Sequence, residues 1–167
     1  MKLYVWFQYT ICVMIMEYKG IILGLALIVL LFVAGCTTQD DANANAEKVI
    51  MFKDPNCGCC VGHAAFLEQN GSHVEKNSFS DMGAIKEQYG VPANMQSYHT
   101  AIIGDYFVEG HMPLEAINKL LLEKPDIDGI ALPGMPSGSP GMPGAKKEAW
   151  DIYSIKDGKV VGVFMTI

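Results

Sequence analysis

The chain reads as an α/β domain of order βαβαββα, followed by a long glycine-, proline- and methionine-rich loop and a C-terminal β-hairpin. Three observations predict this. Short β-rich runs alternate with helical periodicities between residues 48 and 125, glycine or proline punctuates most of the junctions, and two apolar runs near the C-terminus flank Asp157-Gly158. Half of the 167 residues are apolar, but many of those sit in one N-terminal block, so the remainder has the composition of one modest globular domain.

Taken in order, Lys48-Val49-Ile50-Met51-Phe52 is a strand that Asp54-Pro55 breaks. The chain turns through Asn56-Cys57-Gly58 into a helix predicted over 59–69, which Asn70-Gly71 closes. Residues 72–77 form a second strand with His73 toward solvent. Ser80 is placed to cap a helix over 81–89, with Met82, Ile85 and Tyr89 on one face. Residues 97–103 and 106–109 are two strands joined at Gly104-Asp105. Gly110-His111-Met112-Pro113 then opens a helix whose buried stripe is Leu114, Ile117 and Leu121, stopped by Pro125. That succession is the thioredoxin-like order. Residues 132–144 (LPGMPSGSPGMPG) alternate breakers and fit neither helix nor ladder, and a loop of that length is usually functional or disordered. Runs over 150–155 and 159–167 make the closing hairpin.

Ahead of the domain, Ile21 to Ala34 (IILGLALIVLLFVA) carries no charge and has the length of a signal-peptide apolar region rather than a membrane span. Val33-Ala34-Gly35-Cys36 resembles a lipobox, which makes Cys36 the expected lipidated first residue of the mature protein. Lys19 supplies a positive flank if translation starts at Met14 or Met16; the competing reading is an uncleaved anchor running to Ala34. The expected division is therefore 1–36 signal or anchor, 37–47 flexible tether, and 48–167 folded domain. Either way the domain faces outward, periplasmic or at the cell surface, where disulfides are permitted. From Cys36 onward, 17 acidic residues face 10 lysines and no arginine, which argues against a nucleic-acid partner.

The chemistry is concentrated in Asn56-Cys57-Gly58-Cys59-Cys60. A cysteine loop between a strand and a helix sits where the helix dipole and unpaired N–H groups favour thiolate, the expected state here. Cys57 and Cys60 also make a C-x-x-C, the pattern of thiol–disulfide exchange, with Cys57 attacking and Cys60 resolving. The third thiol, Cys59, raises the ligand density for a soft cation such as Cu(I). Zinc held by three thiolates and one histidine is a further alternative. His63 shares the helical face of Cys59 and Cys60 and could add an imidazole, although a lone helical histidine is more often a surface or packing residue. His99 and His111 bracket the predicted hairpin. Met135 and Met142 suit either thioether ligation of Cu(I) or packing over an apolar groove.

Five motifs in order then resemble the CopG-like metal-binding proteins: Asn56 to Cys60, Gly90-Val91-Pro92, Ser97-Tyr98-His99-Thr100-Ala101, Glu109-Gly110-His111-Met112-Pro113, and Pro133 to Met142. The resemblance covers about residues 49–167. It implies a thioredoxin-like fold, an exported location and a role in copper resistance, with Cu(I) on the cysteine loop, a small polynuclear site, and redox conversion of copper as a further expectation. Other copper-handling proteins are the partners it implies. Two positions depart from the family pattern. Tyr98 stands where members commonly carry a cysteine, and His63 where they often carry a tryptophan. On these grounds the site set is Cys57, Cys59 and Cys60, with His63, His99, His111, Met135 and Met142 as candidate ligands.

Overall fold

The computed structural model describes residues 47–167. The signal or anchor segment, Cys36 and nearly all of the tether lie outside the described residues. Among the described residues no helix is long and apolar enough to cross a membrane.

Strand β1 (Lys48–Lys53) turns Val49, Met51 and Lys53 inward in strict alternation. It lies between β2 (His73–Ser78), parallel to it, and β3 (His99–Ile103), antiparallel. The parallel pairing requires a crossover, and helix α1 (Gly58–Gln69) supplies it. Helix α2 (Met82–Gln88) and a 3₁₀ turn (Ala93–Met95) lead from β2 to β3. Strand β4 (Tyr106–Glu109) folds back on β3, and α3 (Leu114–Glu123) follows. After β5 (Gly129–Ala131), the hairpin of β6 (Asp151–Lys156) and β7 (Lys159–Thr166) completes one seven-stranded sheet, ordered β2-β1-β3-β4-β5-β6-β7. The hairpin turn at Asp157 and Gly158 has positive φ at both residues, the twist that suits two-residue connections. The result is a mixed α/β fold of three helices on one sheet.

Two apolar clusters occupy the two faces of the sheet. Helices α1 and α3 contribute Ala64, Leu67, Ala116, Ile117 and Leu120 to the larger, with Val49, Met51, Ile103, Val108 and Ile130 from the strands. The segment after α2 contributes Val91 and Met95 to the smaller, against Phe107, Ala131 and Ile155.

Several expectations need correction. Helix α2 is capped by Asp81, whose carboxylate accepts from the Ala84 N–H at 3.1 Å, and not by Ser80. The carboxylate one residue on reaches the free N–H groups directly. The buried stripe of α3 is Ala116, Ile117 and Leu120, with Leu114 and Leu121 only half-buried, because the stripe turns one position toward the sheet. Strand β5 was not foreseen, since three residues carry no usable alternation. Gly129 opens it where a Cβ would run into the Phe107 carbonyl and ring across the parallel pair. Gly129→Ala should therefore destabilise the domain by about 1–3 kcal/mol, read as a lower urea midpoint. An unchanged midpoint would show that β4 and β5 can separate at no cost.

A candidate metal and thiol site

Asp54 organises the turn that carries the cysteines. Its carboxylate accepts from the Asn56 N–H at 2.7 Å and its carbonyl from the Cys57 N–H at 3.1 Å. Its own N–H donates to the Tyr98 carbonyl at 3.2 Å, which ties the loop to the start of β3. Cys57 is then the N-cap of α1: its sulfur accepts from the Cys60 N–H at 3.2 Å, the bond a serine or aspartate side chain usually makes there.

The cap residue and the third helical residue bring their side chains to one turn, with Cα atoms 5.4 Å apart. That separation suits a disulfide, and the structure joins Cys57 to Cys60. The expectation of thiolate throughout the loop is corrected accordingly: two sulfurs are paired and Cys59 is free. Its Sγ lies 3.4 Å from that of Cys57, and all three sulfurs fall within 4.8 Å of one another. Cys60 is fully buried and Cys57 nearly so, whereas Cys59 is half-buried. A cleft of about 250 Å³, lined by Asp54, Asn56, Cys57, Gly58, Cys59 and Tyr98, opens beside them. A larger groove lies at the opposite strand ends, around Gly104 and Gly158, and contains none of the predicted residues.

One turn beyond Cys60 the inward face of α1 presents His63, which is completely buried rather than on the surface. It meets His99, the first residue of β3, and His111, just after β4. The ring centroids are 4.9, 5.3 and 5.0 Å apart for His63–His99, His63–His111 and His99–His111. His73, the fourth histidine, is exposed on β2, as expected.

The partners of the three rings fix their protons. His63 Nε2 lies 3.0 Å from the Met112 carbonyl and His111 Nδ1 lies 2.7 Å from the Pro140 carbonyl. A carbonyl only accepts, so both nitrogens carry hydrogen. Burial holds His63 mainly neutral, with its pKa lowered to about 4, and its Nδ1 is then an acceptor. His99 Nε2, 2.8 Å away, must be the donor to it. Lone pairs are left on His99 Nδ1 and His111 Nε2, the two buried side-chain atoms among the described residues without a hydrogen-bond partner. Burial also lowers the pKa of His99 well below the usual value, reinforced by His63, and lowers that of His111. Two unprotonated, desolvated imidazole nitrogens are a donor set that fits a borderline or soft cation.

The 132–144 loop closes over this cluster. Gly141 lies against α1 so tightly that a Cβ there would strike the His63 N–H, and its φ of +80° disfavours any other residue. Met135 and Met142 are both half-buried on that loop. Beneath the histidines lies a charge network that sequence reasoning missed. Glu109 accepts from Lys86 Nζ at 2.5 Å, from Thr100 Oγ1 at 2.6 Å and from the Ser97 N–H at 2.5 Å. Lys86, Thr100 and Glu109 are all buried. Glu109 and Thr100 fall within the motifs of the sequence analysis; Lys86 lies outside them.

Fold and site together define a small α/β protein with a thiol loop at a helix N-terminus and an imidazole cluster one turn deeper. The family model described as "Protein of unknown function, DUF411" matches residues 95–142, the part that holds His99, His111 and the methionine loop. A solved structure titled "Copper resistance protein copG- Form 2" is 39% identical, with a TM-score of 0.67, and the match covers 74% of this chain and 99% of that one. Form 1 of the same protein is also 39% identical, with a TM-score of 0.64, covering 72% and 98%. No curated protein matches in sequence. The chain belongs to the CopG family.

The buried neutral histidines set a pH dependence. Their folded pKa values are lowered, so between about 6.5 and 4 the unfolded chain binds protons that the folded one does not. Stability is complete above the unfolded value and is lost as pH falls through this window. Metal-free protein should show a lower urea midpoint at pH 5 than at pH 7.5, and His63→Gln should flatten that difference. A flat profile in the unaltered protein would contradict neutral burial.

Proposed function

We propose that this chain is an exported, lipid-anchored copper-binding protein that serves copper resistance by holding Cu(I) on Cys57, Cys59 and Cys60. The observation that carries the reading is the convergence of three sulfurs within 4.8 Å in a chain 39% identical to a copper resistance protein. Thiolates favour Cu(I), the ion to be sequestered or passed to another copper-handling protein. His99 Nδ1 and His111 Nε2 supply a second donor set in the interior, and His63 orients it through its bond to His99. Met135 and Met142 serve as shields or thioether ligands on the covering loop. A thioredoxin-like assignment is supported by the succession β1-α1-β2-α2-β3-β4-α3 and by the strand order β2-β1-β3-β4, with β1 parallel to β2 and antiparallel to β3.

Copper uptake by all three sulfurs requires the Cys57–Cys60 bond to be reduced, a two-electron step. That disulfide favours a second reading, thiol–disulfide oxidoreduction by Cys57 and Cys60. Anaerobic titration of the reduced protein with Cu(I) separates the two. Tight stoichiometric copper that is lost in Cys57→Ser and Cys59→Ser, and that excess Zn²⁺ does not displace, is the expected result. Metal-free protein that turns over a dithiol substrate and is inactivated only by changes at Cys57 or Cys60 would sink the copper reading.

The anchor is a separate expectation. Cys36→Ser should abolish labelling by a fatty-acid analogue in cells and release the protein from membranes. Retained label would refute lipidation at that residue.

A further inference from the structure

The three sulfurs of the loop differ in what can reach them. Cys60 is fully buried and Cys57 is 8% exposed, so the disulfide offers little surface to an external thiol. Cys59 is half-buried and free, and it lines the open cleft together with Cys57, Asp54, Asn56 and Tyr98. Its Sγ is 3.4 Å from Cys57 Sγ, inside the distance at which a thiolate can approach a disulfide sulfur. Cys59 is therefore the most exposed of the three cysteines, with its sulfur already in contact with the disulfide. From this we infer that Cys59 is the exchange cysteine of the protein, through which thiol reductants gain access to the Cys57–Cys60 bond. The inference rests on the thiol loop being the functional site and is independent of which metal it holds.

The chemistry balances in three steps. Cys59 gives up its proton and its sulfur bonds to Cys57; the Cys57–Cys60 bond breaks, and Cys60 leaves as thiolate and takes a proton. An external thiol then loses its proton and attacks the accessible sulfur of Cys59. The Cys57–Cys59 bond breaks, a mixed disulfide forms on Cys59, and Cys57 leaves. The Cys60 N–H that donates to Cys57 Sγ at 3.2 Å stabilises that leaving thiolate, as a helix N-terminus does for other low-pKa thiols. A second external thiol releases Cys59 as the mixed disulfide becomes a disulfide of the reductant. In total two thiols are oxidised and one protein disulfide is reduced. The reductant is a thiol small or protruding enough to enter the cleft beside Tyr98. A disulfide with so little exposed surface would otherwise react slowly with external thiols.

The test uses the full-length protein, oxidised and metal-free in the presence of a chelator, with glutathione as the probe. Samples quenched in acid, alkylated and mapped by mass give the rate at which Cys57 and Cys60 become free and the position of the glutathione adduct. Expected are an adduct on Cys59, a transient Cys57–Cys59 species with Cys60 alkylated, and reduction slowed about tenfold or more in Cys59→Ser and Cys59→Ala. Mapping of the unaltered protein does not depend on either variant folding. Adduct formation on Cys57, reduction of Cys59→Ser at the unaltered rate, or absence of the Cys57–Cys60 bond from the oxidised protein would each overturn the inference. Because no copper is present, failure here is distinct from failure of the copper reading, which the Cu(I) titration judges by itself.

Discussion

Three neutral imidazoles packed against one another with no surface exposed to water impose the strictest constraint in this domain. A protonated ring in that position would be a buried charge without a counterion, so the rings are held neutral by desolvation and their hydrogen bonds must run in one direction. Two backbone carbonyls set that direction, one from Met112 ahead of α3 and one from Pro140 in the covering loop. The bonds leave two buried nitrogens, His99 Nδ1 and His111 Nε2, without a hydrogen-bond partner among the described residues. Leaving two such atoms buried is costly for folding alone, at about 1–3 kcal/mol each.

The elements around the rings serve that constraint. His99 begins β3 opposite Lys53, the residue that ends β1 just before the cysteine turn, so the sheet register fixes the imidazole relative to the thiol loop. Thr100 and Glu109 face each other across β3 and β4 and are bonded through their side chains, with Lys86 completing the charge balance from α2. A buried ion pair of this sort adds little net stability, but removing one partner leaves an uncompensated charge, so it holds the backbone on either side of the histidines in one arrangement. From above, the Gly141 approach leaves no room between the loop and α1.

Much of this was legible from residue types and order. Asp54-Pro55 after an apolar run, three cysteines, and a helical pattern ending at Asn70-Gly71 fixed the thiol loop at a helix N-terminus, and the breakers around Gly104-Asp105 and Asp157-Gly158 fixed both hairpins. The methionine loop announced itself by composition, although not what it covers. What could not be read was convergence in space. His63, His99 and His111 are separated by 36 and 12 positions, and only the parallel crossover through α1 and the antiparallel return of β4 bring them together. Lys86 gave no signal because its partner lies 23 residues away on another element. The disulfide depended on which two of three neighbouring thiols sit at the cap and the third helical position, a matter of a single residue in the helix boundary.

Tyr98 shows how the two donor sets relate. It is 56% exposed and lines the same cleft as Cys57 and Cys59, while its backbone carbonyl holds the cysteine turn and its neighbour His99 points into the imidazole cluster. The position therefore sits at the junction of the outer sulfur site and the inner nitrogen site. A cysteine here would add a fourth thiol at the cleft rim; the phenol adds a weak oxygen donor instead, and the sulfur set stays at three. In the interior, His63 supplies a third ring on α1 and accepts the hydrogen bond that orients His99. Cys60 and His63 share the buried face of α1, so the two clusters are joined through one turn of a single helix.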